Sequence, residues 1–221
     1  MPMTAAAIHQ QLKLYHEQGK RLFVSSSFQT HSIPLLHILS SSGIPIDLFF
    51  LDTGYHFPQT LNFRDKVARK LGLQVKNITS LVPKNLQRDE AGQLYFVSDP
   101  DYCCFLNKTQ PLEPLLMQYD VWISGVRADQ NYNRRNLQME QPAPHNTIRF
   151  HPMLKWTARD IHQYCKANAL PEHPLYREGY LSIGCEPCTK KFDASDERSA
   201  RWFGLHKTEC GLHTDLIKSK E

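Results

Sequence analysis

The chain has 221 residues, a hydrophobic content of 41%, a charged content of 22% and a formal net charge of +4. The length suits one domain with a sizeable core, the composition is that of an ordinary globular protein, and the charge is too mild for a dedicated nucleic-acid binder. No run approaches the ~18 apolar residues of a membrane span, and the N-terminus lacks the basic head and apolar stretch of a secretory signal, so the expectation is a cytoplasmic protein with no membrane or nucleic-acid partner.

In chain order, the first segment reads as an amphipathic helix with Ile8, Leu12 and Tyr15 on one face. "RLFVSSS" (Arg21 to Ser27) reads as a strand entering a polar turn, and "THSIPLLHILSSSG" as a helix closed by Gly43. "IDLFFLDTG" is a continuous apolar run, the pattern of a strand buried on both faces. "FPQTLNFRDKVARKLGL" follows as a helix with Leu61, Val67, Ala68 and Leu71 at helical spacing, and "QVKNIT" as a third strand. "LNKTQPLEPLLMQY" reads as a helix whose first turns Pro111 and Pro114 make irregular. "DVWISGVR" and "IRFHPM" are the fourth and fifth strands, and "TARDIHQYCKANAL" is the last helix, N-capped by Thr157. This alternation predicts an α/β fold, a mostly parallel twisted sheet with helices on both faces. Ligands of such sheets gather beyond the carboxyl ends of the strands, which points to the loops "SSSFQTHS", "LDTGYHFP" and "GVRADQNYNRR". There is no internal repeat. After Leu170 the composition turns to Pro, Gly, Cys and charge, so that region is expected to wrap the domain with little sheet of its own.

The six cysteines are expected to stay reduced and to bind metal or do chemistry rather than form disulfides. Cys103 and Cys104 are adjacent, and Cys185 and Cys188 form a CxxC. Zinc sites use pairs spaced by two to four residues, and neighbouring side chains diverge, so a tandem pair is awkward for one tetrahedral ion. An iron–sulfur cube has separate irons, each taking one thiolate. Geometry alone leaves both open. Cys165 sits one helical turn after Ile161 and reads as a buried core thiol. His145, His151, His162 and His173 have no ligand-like pairing and read as packing or surface residues. Cys210 lies in a polar tail between Gly204 and Gly211, where it is expected to be exposed; Lys207, His206 and His213 favour its thiolate and Glu209 opposes it. The Ser-rich turn offers hydroxyls and a helix N-terminus that suit phosphate or sulfate, a set also found in plain turns.

"CCFLNK", "GYLSIGCEPCTKKF", "DERSARW" and "KTECGLH", together with "FLDTGYHFPQT" and "PMLKWTARDIHQYCKANALPEHPLYREGY", resemble the assimilatory sulfonucleotide reductases, specifically the iron–sulfur adenylylsulfate reductases. The likeness runs from Val24 to His213. It implies an adenine nucleotide alpha-hydrolase-like fold with a modified pyrophosphate loop at Ser25, Ser26 and Ser27. The two glycines and the aspartate of the ATP-splitting SGGxDS pattern are missing. It implies one 4Fe-4S cluster on Cys103, Cys104, Cys185 and Cys188, and Cys210 as the nucleophile. It sets the turn Asp52, Thr53 and Gly54 against the adenosine. Lys108, Arg198, Arg201 and one arginine of "NRRN" would bind phosphate and sulfate. The loop before "NRRN" departs from the family's composition, which leaves Arg134 and Arg135 both open. By the same resemblance, residues 20–170 form a nucleotide-binding core, 171–202 a cluster and substrate segment, and 203–221 a mobile catalytic tail. The implied reaction is reduction of adenylylsulfate to sulfite and AMP through an S-sulfocysteine, with thioredoxin or a glutaredoxin-like dithiol as reductant and the cluster structural and electrostatic. Phosphoadenylylsulfate, or dual use, is the alternative substrate. A non-catalytic zinc module is the distant rival, and a homo-oligomer is left open.

Overall fold

The computed structural model describes residues 1–191, 201–202, 207, 209–213 and 216. In chain order they form α1 (Ala5–Glu17), β1 (Leu22–Ser25), α2 (Ile33–Ser40), β2 (Ile46–Asp52), α3 (Pro58–Leu71), β3 (Val75–Thr79), α4 (Tyr95–Ser98), α5 (Pro100–Cys104), α6 (Gln110–Gln118), β4 (Val121–Ser124), α7 (Tyr132–Arg135), β5 (Glu140–Pro142), β6 (Ile148–Phe150) and α8 (Ala158–Ala167). The strands make one sheet in the order β3-β2-β1-β4-β6-β5. Every neighbouring pair is parallel except β5 with β6.

The two-residue period of the central strands sorts the core into two layers. Leu22 and Val24 of β1, Leu48 and Phe50 of β2, and Val121 and Ile123 of β4 face one side, where α1, α2, α3 and α8 cover them with Ile8, Leu12, Leu36, Val67 and Ile161. Phe23, Phe49 and Trp122 face the other side and meet Leu112, Leu115 and Leu116 of α6. That second layer is completed from far along the chain: Leu216 is buried in it, and Leu212 packs against it. Each such side chain contributes roughly 1.5–3 kcal/mol of hydrophobic stabilisation.

Local signals explain the ends of the elements. Thr157 caps α8 in a reciprocal box, its Oγ1 accepting from Asp160 N at 3.2 Å while Asp160 Oδ2 accepts from Thr157 N at 2.7 Å. Gly72 takes φ 64° and closes α3. The parallel sheet with helices on both faces is as expected, and so are the burial of Ile8, Leu12 and Tyr15 and of the Cys165 thiol. Two features differ. The sheet carries a sixth, antiparallel edge strand, β5, only three residues long and ending in Pro142, too short for its alternation to register. The tandem cysteines are helical: Asp99 Oδ1 accepts from Tyr102 N at 2.9 Å, Pro100 opens α5, and a π-helical turn at Phe105–Thr109 runs on into α6.

Residues 171–191 cross the surface with only 3-10 turns and isolated bridges. His173 pins this stretch down. It is fully buried, its N–H donates to Thr30 Oγ1 at 3.0 Å, and its Nε2 lies 3.0 Å from Thr60 Oγ1. Among the described residues no helix is long and apolar enough to cross a membrane.

Candidate active site

The strand order turns outward in both directions from β1 and β4, and a cleft opens at their carboxyl ends, the switch point of such sheets. It encloses ≈ 1020 Å³ out to its open mouth. Its floor is Ser25 at the end of β1 with Ser26 and Ser27 of the following loop, and Ser124 at the end of β4 with Gly125 and Val126 beyond it. Trp122 Nε1 donates to Ser25 Oγ at 2.8 Å and ties the two together. The turn is held from below by Phe28, which is fully buried at φ 52° and whose N–H donates to Ser26 Oγ at 3.1 Å. The cations Lys108, Arg134 and Arg201 line the walls, and so do Cys210 and His213.

Next to the cleft lies a second, smaller hollow, lined by Cys103, Cys104, Cys185 and Cys188 with Thr53, Tyr55, Asn107 and Lys108. Two walls bring the cysteines together. One is α5, whose consecutive thiols point about 100° apart. The other is the 3-10 turn Glu186–Cys188, where Cys188 N donates to Cys185 O at 3.0 Å and Thr189 Oγ1 donates to the same carbonyl at 2.9 Å. The loop 53–56 braces this turn: Glu186 N donates to Tyr55 O at 2.7 Å, and Thr53 Oγ1 lies 3.3 Å from Cys185 Sγ. Asn107 Nδ2 reaches Cys103 Sγ at 3.6 Å, and its own amide is locked against Gln87. Burial, then the Cys185 and Cys188 thiols, push Cys103 up to about 11. The Tyr55 hydroxyl is buried with no hydrogen-bond partner among the described residues. Among the same residues no three His, Cys, Asp or Glu side chains meet as ligands of a single ion.

The tail brings Cys210 to the border between the two cavities, and here the sequence expectation is corrected. Cys210 is not exposed; it is 8% accessible. Leu212 and Leu216 carry this stretch onto the Phe23–Trp122 layer, an apolar pair four apart that outweighs the polar look of the segment. Glu209 is buried and receives Arg134 in a bidentate ion pair, Nε to Oε2 at 2.7 Å and Nη2 to Oε1 at 3.1 Å, with Asn131 Nδ2 on Oε2 at 2.7 Å. Cys210 N donates to Glu209 Oε1 at 2.9 Å. A hydrogen bond from the Cys104 thiol lowers the Cys210 pKa, burial raises it, and the Lys108 ammonium and the Leu212 N–H leave it well below the ordinary thiol range despite the Glu209 carboxylate. Lys108 is disfavoured as a charge by burial, but the sulfurs of Cys104, Cys185 and Cys210 outweigh that and raise its pKa. One ammonium therefore serves both cavities.

The remaining sequence candidates divide. Ser25, Ser26, Ser27, Lys108, Arg134 and Arg201 line the cleft together. Arg135 is exposed and lies outside it, since one residue along α7 rotates a side chain by about 100°. Asp52, Thr53 and Gly54 do not line it either; Phe50, Leu51 and His56 do. Asp52 Oδ1 accepts from Gly54 N at 3.0 Å to shape the turn, and Thr53 faces the cysteine cavity instead. Arg201 is held by its Nε on Cys188 O at 3.3 Å, and its guanidinium lies so close to Gly184 that a Cβ there would overlap it. Lys207 pairs with Asp101. Arg198, Gly204 and His206 lie outside the described residues. Sequence reasoning passed over Asn107, Tyr55, Arg127 and Arg149. The two arginines are fully buried, and no short motif marks them.

Fold and cleft define the class: a nucleotide-binding α/β protein with a thiol seated among cations. Comparison with known proteins is narrower. Residues 21–191 match the phosphoadenosine phosphosulfate reductase domain, and the chain belongs to that family. It is 40% identical over 192 residues to the adenosine 5′-phosphosulfate reductase of Chelativorans sp., covering 85% of this chain and 77% of the relative. It is 38% identical over 200 residues to the phosphoadenosine 5′-phosphosulfate reductase of Gloeobacter violaceus, covering 88% and 83%. Among solved structures, a phosphoadenylyl-sulfate reductase from Candida auris in complex with phosphate is similar, with a TM-score of 0.65 at 23% identity over 80% of this chain and 88% of that one. The last likeness concerns the fold. The family match also removes the non-catalytic zinc module from consideration.

Proposed function

We propose that this chain reduces adenosine 5′-phosphosulfate to sulfite and AMP in sulfate assimilation, with a dithiol protein of the thioredoxin or glutaredoxin type as reductant. The observation that carries the reading is Cys210, seated in a nucleotide-sized cleft within reach of Lys108 and the Ser25–Ser27 loop. The sulfate end of the nucleotide lies among Lys108, Arg134 and Arg201, with Arg198 as a further contact carried by the sequence resemblance. The Cys210 thiolate attacks the sulfur. The bond from sulfur to the phosphate oxygen breaks, its electron pair leaves with AMP, and the cations stabilise that charge as it grows. An S-sulfocysteine remains. A thiolate of the dithiol partner then attacks Cys210 Sγ, sulfite departs with the electron pair of the S–S bond, and the partner's second thiol resolves the mixed disulfide. Both electrons come from the dithiol.

Cys103, Cys104, Cys185 and Cys188 would hold one 4Fe-4S cluster. The fit is supported by four thiols lining one small hollow, by the orphaned Tyr55 hydroxyl, which needs an acceptor such as sulfur, and by Asn107 on Cys103. When bound, the cluster supplies a rigid charged body next to Lys108. With Cys104 on iron it would have no proton to offer Cys210, so Lys108 and the Leu212 N–H would be the groups left to favour the thiolate, against burial and Glu209. Phosphoadenosine 5′-phosphosulfate is a second substrate reading, because a relative of that name matches almost as well; its extra phosphate needs another cation.

The test is anaerobic incubation of the full chain with adenosine 5′-phosphosulfate and no reductant. The expected result is a mass gain of one sulfonate on wild type, none on Cys210→Ser, and release of sulfite when dithiol is added. Absence of the adduct on wild type would reject the scheme. Parallel rates with the 3′-phosphorylated nucleotide decide between substrates, and iron and labile-sulfide analysis decides the cofactor.

A further inference from the structure

Arg149 is fully buried on β6, in register with Trp122 of the neighbouring strand. It belongs to the layer that Phe23, Phe49 and Trp122 build, where an apolar side chain would pack without desolvating a charge. Its guanidinium instead stacks on the Trp122 ring at 4.1 Å, and among the described residues no carboxylate hydrogen-bonds to it. Its two terminal nitrogens go to one place. Nη1 donates to Leu212 O at 2.6 Å, and Nη2 bonds His213 Nδ1. A guanidinium only donates, so Nδ1 accepts and the His213 proton sits on Nε2. Leu212 lies two positions from Cys210, and His213 N donates to Cys210 O at 2.8 Å, so the clamped residues are tied to the cysteine's own backbone. Arg149 thus reaches the cysteine through Leu212 and His213.

We propose that Arg149 is a positioning residue for the thiol step: from inside the sheet it clamps the Leu212 carbonyl and His213, and so aims Cys210 at the substrate's sulfur. This rests on Cys210 being the nucleophile. The clamp is separate from the Arg134–Glu209 pair, which holds the tail from the cleft side. It does not itself line the cleft, so its effect is expected on the rate of the thiol attack more than on nucleotide affinity.

The experiment uses the anaerobically purified full chain and compares wild type with Arg149→Met and Arg149→Lys. Three quantities are read: the rate of sulfonate adduct formation at saturating adenosine 5′-phosphosulfate, AMP affinity, and alkylation of Cys210 by iodoacetamide without nucleotide. Losing two charge-assisted donors slows adduct formation about a hundredfold in Arg149→Met. AMP affinity stays within a factor of about three, alkylation is at least about fivefold faster, and lysine, which keeps a charged donor at this position, recovers most of the rate. A folded Arg149→Met with wild-type adduct and alkylation rates overturns the inference, and so does an AMP affinity that falls as far as the rate. If near-ultraviolet circular dichroism shows that the methionine variant has not folded, Arg149→Gln takes its place under the same criteria. A wild type that forms no adduct sinks the proposed function, and the alkylation comparison then decides the clamp alone.

Discussion

His173→Asn should flatten the acid side of the protein's stability profile. Leu175 N can only donate, and it donates to His173 Nδ1 at 3.3 Å, so that nitrogen carries no proton and the imidazole is neutral in the fold. The ring packs against Phe63 with centroids 5.0 Å apart, and burial pushes its pKa from 6.5 down to about 4. At 1.36 kcal/mol per unit, that shift corresponds to about 3 kcal/mol. The unfolded chain binds the proton first as the pH falls, so this contribution is whole above pH 6.5 and drains away between 6.5 and about 4. His151, lowered to about 3 by burial and by Arg149 and Arg134, works in the same direction, and for that reason the variant is needed to isolate His173. The assay is urea unfolding at pH 7.5 and pH 4.5. Wild type should lose roughly 2–3 kcal/mol more than His173→Asn over that interval, from the same linkage. Asparagine keeps an acceptor for Leu175 N but has no proton to gain. Equal losses in the two proteins would refute the assignment of a neutral, buried imidazole.

Three further outcomes follow from the tail and the cleft. Leu216→Ala removes buried contact from the second layer, a change that costs about 2–4 kcal/mol, and should accelerate Cys210 alkylation at least about thirtyfold while differential scanning calorimetry shows the main transition moved by only a few degrees. A lower melting temperature with unchanged alkylation would mean the tail does not undock on its own. Gly184→Ala drives a Cβ into the Arg201 guanidinium; calorimetric titration should show AMP binding about tenfold weaker, with the far end of a flexible side chain absorbing the clash and stability intact. Glu209→Gln leaves only one acceptor atom for the Arg134 fork, so Arg134 becomes free for phosphate and AMP should bind several-fold more tightly; equal affinity would show that the two anions do not compete for it.

Much of this architecture could be read from residue order. The three central strands declare themselves by apolar runs, and Thr157, Gly72 and Pro58 punctuate their helices, because those signals are local. The cysteine spacing and the Ser-rich turn pointed to the two cavities that the fold sets side by side. What resisted reading was set by tertiary contacts. Nothing near Arg149 in sequence tells that a strand residue will hold a carbonyl 63 positions away. Glu209 does oppose the Cys210 thiolate, as its charge suggests, but its ion-pair partner Arg134 lies 75 positions earlier and no local signal shows it. The "LDTG" turn looked like a nucleotide contact, and its threonine goes to the cysteine cavity because the CxxC turn docks on the same loop.

A chain is made from its amino end, and the layer of Phe23, Phe49 and Trp122 is laid down long before Leu212 and Leu216 exist to cover it. During synthesis these aromatic rings stand open to water or to a chaperone. The residues lining the cysteine cavity are all present once Cys188 has emerged, so the proposed cluster would not need the later residues in order to be held. Seating Leu212 and Leu216 then covers the hydrophobic layer and brings Cys210, the proposed nucleophile, to the cleft in the same movement, so packing and placement of the thiol are one event.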